Sequence, residues 1–122
     1  MKRREMKREI TFHLLFCFDV KGARRLMLEN KFQAKLIKEL KQEFPDCIVM
    51  KNDAGYIQGI PDLLVLNNNR WASLEVKKSA NERRQPNQEY YVGKMNDMSF
   101  SRFICPENKD EVLDELRLHL TS

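Results

Sequence analysis

Apolar residues recur at helical spacing through Phe32, Leu36, Ile37, Leu40 and Phe44, with Lys35, Lys38, Glu39 and Lys41 on the other side. That stripe predicts an amphipathic helix, which Pro45-Asp46 ends. The pattern then shortens. Cys47 to Met50 is an apolar run of strand length, residues 51–60 form a polar loop containing Gly59, and Asp62 to Leu66 reads as a second strand. Asn67-Asn68-Asn69 makes a turn, and Trp71 to Lys77 a third strand. Residues 79–86 are loop, and a helix follows over Asn87 to Met98. Phe100 to Cys105 alternates again, with Phe100, Arg102 and Ile104 on one side and Ser101, Phe103 and Cys105 on the other. Val112, Leu113, Leu116 and Leu120 mark a last helix, opened by Glu107, Asp110 and Glu111, acids that suit the positive helix start. The order is helix, three strands, helix, strand, helix. It predicts an α/β domain with a mixed four-stranded sheet flanked by helices, without internal repeats.

Ahead of this pattern stands a different segment. Residues 1–26 hold eight Lys and Arg against three acids, a net charge of +5, whereas the rest of the chain holds 14 bases against 15 acids, a net −1. The basic character therefore belongs to the first 26 residues, and composition alone gives no argument for nucleic acid in the unit 27–122. The segment reads as a basic extension, poorly ordered or loosely docked, or as upstream reading frame ahead of Met27. Its apolar run, Ile10 to Phe18, is too short for the ~20 residues that cross a bilayer. Asp19-Val20-Lys21-Gly22 follows it where a secretory cleavage site would need small residues. Three cysteines without a Cys-x-x-Cys pair give neither a disulfide framework nor a zinc knuckle, which makes a reducing cytoplasm the expected compartment. His13 and His119 are too few and too scattered for a metal cluster.

The chemistry lies in the hairpin of the second and third strands. Glu-x-Lys occurs five times, but only Glu75-Val76-Lys77 falls in a strand, where period-two geometry puts Glu75 and Lys77 on one face and Val76 on the other. A two-residue turn at Asn68-Asn69, both able to take positive φ, sets Asp62 directly across from Glu75. A slip of one residue would separate the two carboxylates onto opposite faces. Two carboxylates held together repel unless a cation lies between them, and Mg²⁺ takes oxygen ligands of this kind while keeping several waters. The Lys77 ammonium could orient a water and offset charge in a phosphoryl transition state. The same residues on a solvated strand would make an ordinary surface salt bridge, and the hairpin alone does not separate the two readings.

Gly59-Ile60-Pro61-Asp62-Leu63 followed by Leu74-Glu75-Val76-Lys77 resembles the PD-(D/E)xK nuclease superfamily. It is most similar to the VRR-NUC group and its small phage-encoded, Holliday-junction-resolvase-like members. Glu29 and Gln33 match that group's first helix, and Gln88, with Gln85 nearby, matches the Gln opening the helix after the Glu-x-Lys strand. The resemblance spans about residues 27–115. It implies a restriction-endonuclease-like fold and Mg²⁺- or Mn²⁺-dependent DNA cleavage. Asp62 and Glu75 would be metal ligands, helped by the Val76 carbonyl and by Glu29. Lys77 would position or activate the attacking water, and Gln88 would orient the site. A phage-encoded protein of this group would act in the cytoplasm of a bacterial host.

Lys51, Lys77, Lys78, Arg83 and Arg84, with Arg70 at the turn, suit a polyanionic substrate, with Lys51, Lys78, Arg83 and Arg84 as the candidate DNA contacts. Tyr56 and Tyr90 are placed to stack on bases or to pack, Tyr91 to pack, and Trp71 to fill core or anchor an interface. The first expectation is a small metal-dependent DNA endonuclease selective for branched DNA such as Holliday junctions. A four-way junction has two-fold symmetry, so this unit would act as a homodimer, with Trp71, Phe100 or the last helix supplying an apolar interface. The alternative is a catalytically silent DNA-binding or assembly module on the same fold. A restriction-type nuclease is a weaker third reading, since base-edge contacts need loops this chain has little room for.

Overall fold

A computed structural model describes residues 20–122; residues 1–19, including the apolar run Ile10 to Phe18, lie outside the described residues. The chain is α/β, with a helix α1 (Val20–Glu43), strands β1 (Ile48–Lys51), β2 (Leu63–Asn67) and β3 (Arg70–Val76), helix α2 (Pro86–Met98), strand β4 (Ser101–Ile104) and helix α3 (Lys109–Thr121). The four strands form one mixed sheet in the order β1-β2-β3-β4. β1, β2 and β3 are antiparallel neighbours, whereas β4 runs parallel to β3 after the crossover through α2. None of the described helices is long and apolar enough to cross a membrane.

Alternation along the strands decides which side of the sheet each residue serves. Leu63 and Val65 of β2, Ala72, Leu74 and Val76 of β3 and Ile104 of β4 point into the main core. There they meet Leu36, Leu40 and Phe44 from the stripe of α1 and Val112, Leu116 and Leu120 from α3. The Lys109–Glu39 ion pair, 3.0 Å, and the contact of Arg117 with Glu43 tie α3 to α1 outside that core. The other face carries Ser73 and Ser101, whose hydroxyls hydrogen-bond at 2.7 Å beneath α2, with the sulfur of Met95 3.8 Å from Ser73 Oγ. Glu75 faces the same way as Ser73, by the same alternation.

Pairs from Leu63↔Leu74 to Asn67↔Arg70 leave Asn68 and Asn69 as a two-residue turn, the register that sets Asp62 opposite Glu75. Only Asn68 uses the left-handed region, at φ 57°; Asn69 does not, so one of the two asparagines has no conformational need to be one. α1 starts at Val20 and passes Met27 without a break, so residues 20–26, grouped by charge with the extension, are helical. Ala23, Arg24, Arg25 and Leu26 are good helix formers, and a run of charge does not interrupt them. Phe100 is a core residue rather than part of an interface patch, because its side of β4 faces α3 and the Arg102 guanidinium lies over its ring. Trp71 is half-buried.

The loop between β1 and β2 is closed at its neck by Asn52. Its N–H donates to the Asp62 carbonyl and its side-chain amide to the Pro61 carbonyl, both at 2.8 Å. Gly59 docks this loop on the first turn of α2 with φ +90°, and a Cβ there would lie 2.4 Å from the Cβ of Asn87. Gly59→Ala is expected to lower stability by about 1–3 kcal/mol. Urea denaturation checks this, and an unchanged midpoint would show that the loop is not held against α2.

Candidate active site

β2 begins where β3 ends, and the residues just before the one and just after the other converge on α2 and α1. Asp62 precedes β2 and accepts the Val76 N–H on Oδ2 at 2.9 Å, which fixes its carboxylate beside β3. Glu75, the penultimate residue of β3, is only 3% exposed. Its Oε1 accepts the Gln88 side-chain amide at 3.2 Å, and its Oε2 is fully buried with no N–H or hydroxyl donor in reach. A carboxyl oxygen buried without such a donor is rare, because burying an unpaired polar atom costs about 1–3 kcal/mol. Burial, then the charge of Asp62 and a hydrogen bond shared with its side chain, push the Glu75 carboxyl up to about 9, against the weaker opposing effects of Lys77 and the Asp62 backbone.

Lys77 continues the strand and is 7% exposed. Its ammonium donates to Gln88 Oε1 at 2.7 Å and to the Arg83 carbonyl at 3.3 Å. Gln88 Oε1 also accepts the Gln85 N–H at 3.0 Å, half of a reciprocal helix-capping arrangement. Its amide is thereby oriented, oxygen toward the lysine and nitrogen toward the acid. Lys77, Gln88 and Glu75 form one hydrogen-bonded chain across the end of the sheet.

These residues line a cleft of about 500 Å³ together with Gly22, Arg25, Leu26, Glu29, Val76, Glu82, Arg83 and Gln85. Asp62, Glu75, Lys77, Gln88 and Glu29 are thus brought together, with Val76 and Arg83 at the same opening. Gln33 does not line the cleft. Lys51 pairs with Leu63 at this end of the sheet but stays outside it. Lys78 and Arg83 border an adjoining hollow with Arg25. Arg84 turns away, its guanidinium 4.0 Å above the Phe103 ring.

Two residues at the cleft carry no signal in the sequence. Glu82 accepts the Lys78 N–H at 2.7 Å, lies 4.0 Å from Arg25 and shares a hydrogen bond with Glu29. Burial, then the hydrogen bond and charge of Glu82, raise Glu29 to about 7. Burial works upward on Glu82 as well, but the hydrogen bonds from Glu29 and Lys78 and the charges of Lys77 and Arg25 outweigh it and hold it below the usual carboxylate range. The proton of this pair therefore sits on Glu29, and the carboxyl that the resemblance offers as a ligand is engaged with Glu82. Glu82 lies in a loop without periodicity, and Arg25 in the segment set apart by charge. Sequence spacing singles out neither.

Among the described residues no group of three or more His, Cys, Asp and Glu side chains is arranged to hold a metal ion. Two carboxylates are nevertheless a sufficient protein contribution for Mg²⁺, which keeps several waters. The Glu75 and Asp62 carboxyls, paired in a cleft where no N–H or hydroxyl donor reaches Glu75 Oε2, fit a hard cation. No family model, no curated protein and no solved structure matches this chain.

The raised Glu75 carboxyl has a consequence for stability. The unfolded chain releases this proton near the ordinary value of 4.5, whereas the folded one keeps it to about 9. The folded state then binds more protons, so Glu75 makes stability fall as pH rises through that window. Urea midpoints in EDTA at pH 5, 7 and 9 are expected to decline for the native chain, with a visibly smaller decline for Glu75→Gln. Equal declines in both would show that Glu75 is not the group responsible.

Proposed function

We propose that this chain is a metal-dependent DNA endonuclease that hydrolyses phosphodiester bonds, of the PD-(D/E)xK type that its motifs resemble. The observation that carries the reading is the buried Glu75 carboxyl, sharing a hydrogen bond with Asp62 and chained through Gln88 to a buried lysine. Burial and a specific charged partner in a cleft are the means by which active sites shift carboxyl groups. Asp62 and Glu75 would hold Mg²⁺ or Mn²⁺, with the Val76 carbonyl as a further oxygen ligand. Bound there, the ion supplies positive charge against the scissile phosphate and acidifies water.

The chain's own groups do the rest. To hold such an ion Glu75 would release its proton to solvent and become the anion that its burial otherwise disfavours. Lys77, aimed by Gln88 and the Arg83 carbonyl, orients the attacking water and offsets charge building on the phosphate. Arg83 and Lys78 hold a flanking phosphate, and Arg25 joins them at the rim. The DNA partner, its branched form, action as a homodimer and a cytoplasmic setting belong to the same proposal.

Purified protein is expected to cut or nick DNA with Mg²⁺ or Mn²⁺ and to stop in EDTA. Lys77→Ala is expected to slow cleavage roughly 10²–10⁴-fold while DNA affinity in a gel-shift assay changes little. Cleavage that survives chelation, or an unchanged rate for Lys77→Ala, would remove the mechanism. Binding without any cleavage would leave a silent DNA-binding module.

A further inference from the structure

The loop from Asn52 to Asp62 presents an aromatic ring that the cleft does not use. Tyr56 is 85% exposed, and among the described residues its ring meets no other ring and no cation. The other strongly exposed tyrosine differs. Tyr90, 57% exposed on α2, has Lys94 5.7 Å over its face and Tyr91 packed edge-on at 5.1 Å.

A solvated tyrosine on a slack loop would mean little. This loop is braced at every stage. Asp53 receives the Gly55 N–H on its carboxylate at 2.8 Å and the Tyr56 N–H on its carbonyl at 3.1 Å. The Ile57 N–H reaches the same Asp53 carbonyl, and Ile60 N–H closes back on the Ile57 carbonyl, each at 3.3 Å. Asn52 clamps the neck onto Pro61 and Asp62, and Gly59 seats the far side on Asn87, one residue before Gln88. The ring thus sits on a fixed turn that hangs from the metal-ligating Asp62 and leans on the helix that orients Lys77. A rigid aromatic ring loses little freedom on contact, and every nucleobase offers a flat face to stack on it.

We propose that Tyr56 is a specificity-determining residue that stacks on an unpaired nucleobase beside the cut phosphate. In fully paired DNA both faces of each base are already taken by its neighbours, so a stacking partner favours strands that are frayed, bulged or splayed. The inference deepens the nuclease reading by naming the DNA feature that the same site selects, and it rests on that reading.

The test uses full-length protein in EDTA with two DNAs of equal length, one fully paired and one carrying a single unpaired 2-aminopurine. Stacking on tyrosine quenches that base, so the native chain is expected to quench it and to bind the unpaired DNA more tightly. Tyr56→Ala is expected to abolish the quench and weaken binding to the unpaired DNA roughly 5- to 100-fold. Tyr56→Phe, which keeps the ring, is expected to retain both. Tyr56→Ala with the native quench and the native preference would overturn the inference. Cleavage in Mg²⁺ is scored separately. Cleavage without quenching sinks the stacking role and leaves the nuclease reading, whereas quenching without cleavage removes the nuclease and, with it, the specificity role, leaving Tyr56 a base contact only.

Discussion

A carboxyl buried against a second carboxyl is among the least comfortable groups a small domain can hold, and the architecture around Glu75 is arranged to keep it there. Its place in the last turn of the sheet is set by β3, whose two neighbours pin it on both sides. Asp62 is fixed opposite by the Val76 amide and shares a hydrogen bond with the proton that Glu75 keeps. Gln88 satisfies one oxygen and Lys77 supplies the nearest positive charge, but neither reaches the other oxygen. In a fold built only for stability this group would be apolar or paired. Its retention makes sense if something positive and oxygen-seeking joins the site during work.

The surrounding elements each contribute to that one place. The two-residue turn at Asn68-Asn69 sets the register, and a shift by a single position would turn Glu75 toward Leu36 and Leu40 of the main core and Leu74 out of it. The parallel return of β4 frees α2 to lie across the opposite face, so that its first turn, with Gln88, meets the end of β3. α1 brings Glu29 and Arg25 to the rim, where Glu82 joins the helix to the loop after Lys77. The cleft is therefore a meeting of three segments that are far apart in sequence, held by one strand pair.

Much of this is legible before any coordinates, because short-range rules decide it. Strand alternation and a tight asparagine turn leave little freedom in how Asp62 and Glu75 relate, and the apolar stripe of α1 needs only helical spacing to be seen. The parts that escape are those governed by long-range packing or by absent periodicity. Charge separates residues 20–26 from the domain, yet helix propensity continues through them. Phe100 is one candidate for an apolar interface by composition, but it is buried, with His119 of α3 stacked on its ring at 5.3 Å. The Glu29–Glu82 pair depends on how a loop without pattern folds back on α1, which no local spacing encodes.

The pivotal measurement is calorimetric titration of Mn²⁺ into the protein near neutral pH, in buffers of different ionisation heat. An ion held between Asp62 and Glu75 requires the Glu75 proton to leave, so binding is expected to release about one proton, and Asp62→Asn or Glu75→Gln is expected to lose both the binding and the release. Mn²⁺ that fails to bind, or that binds equally well to both substituted chains, would contradict a shared cation at this pair of acids.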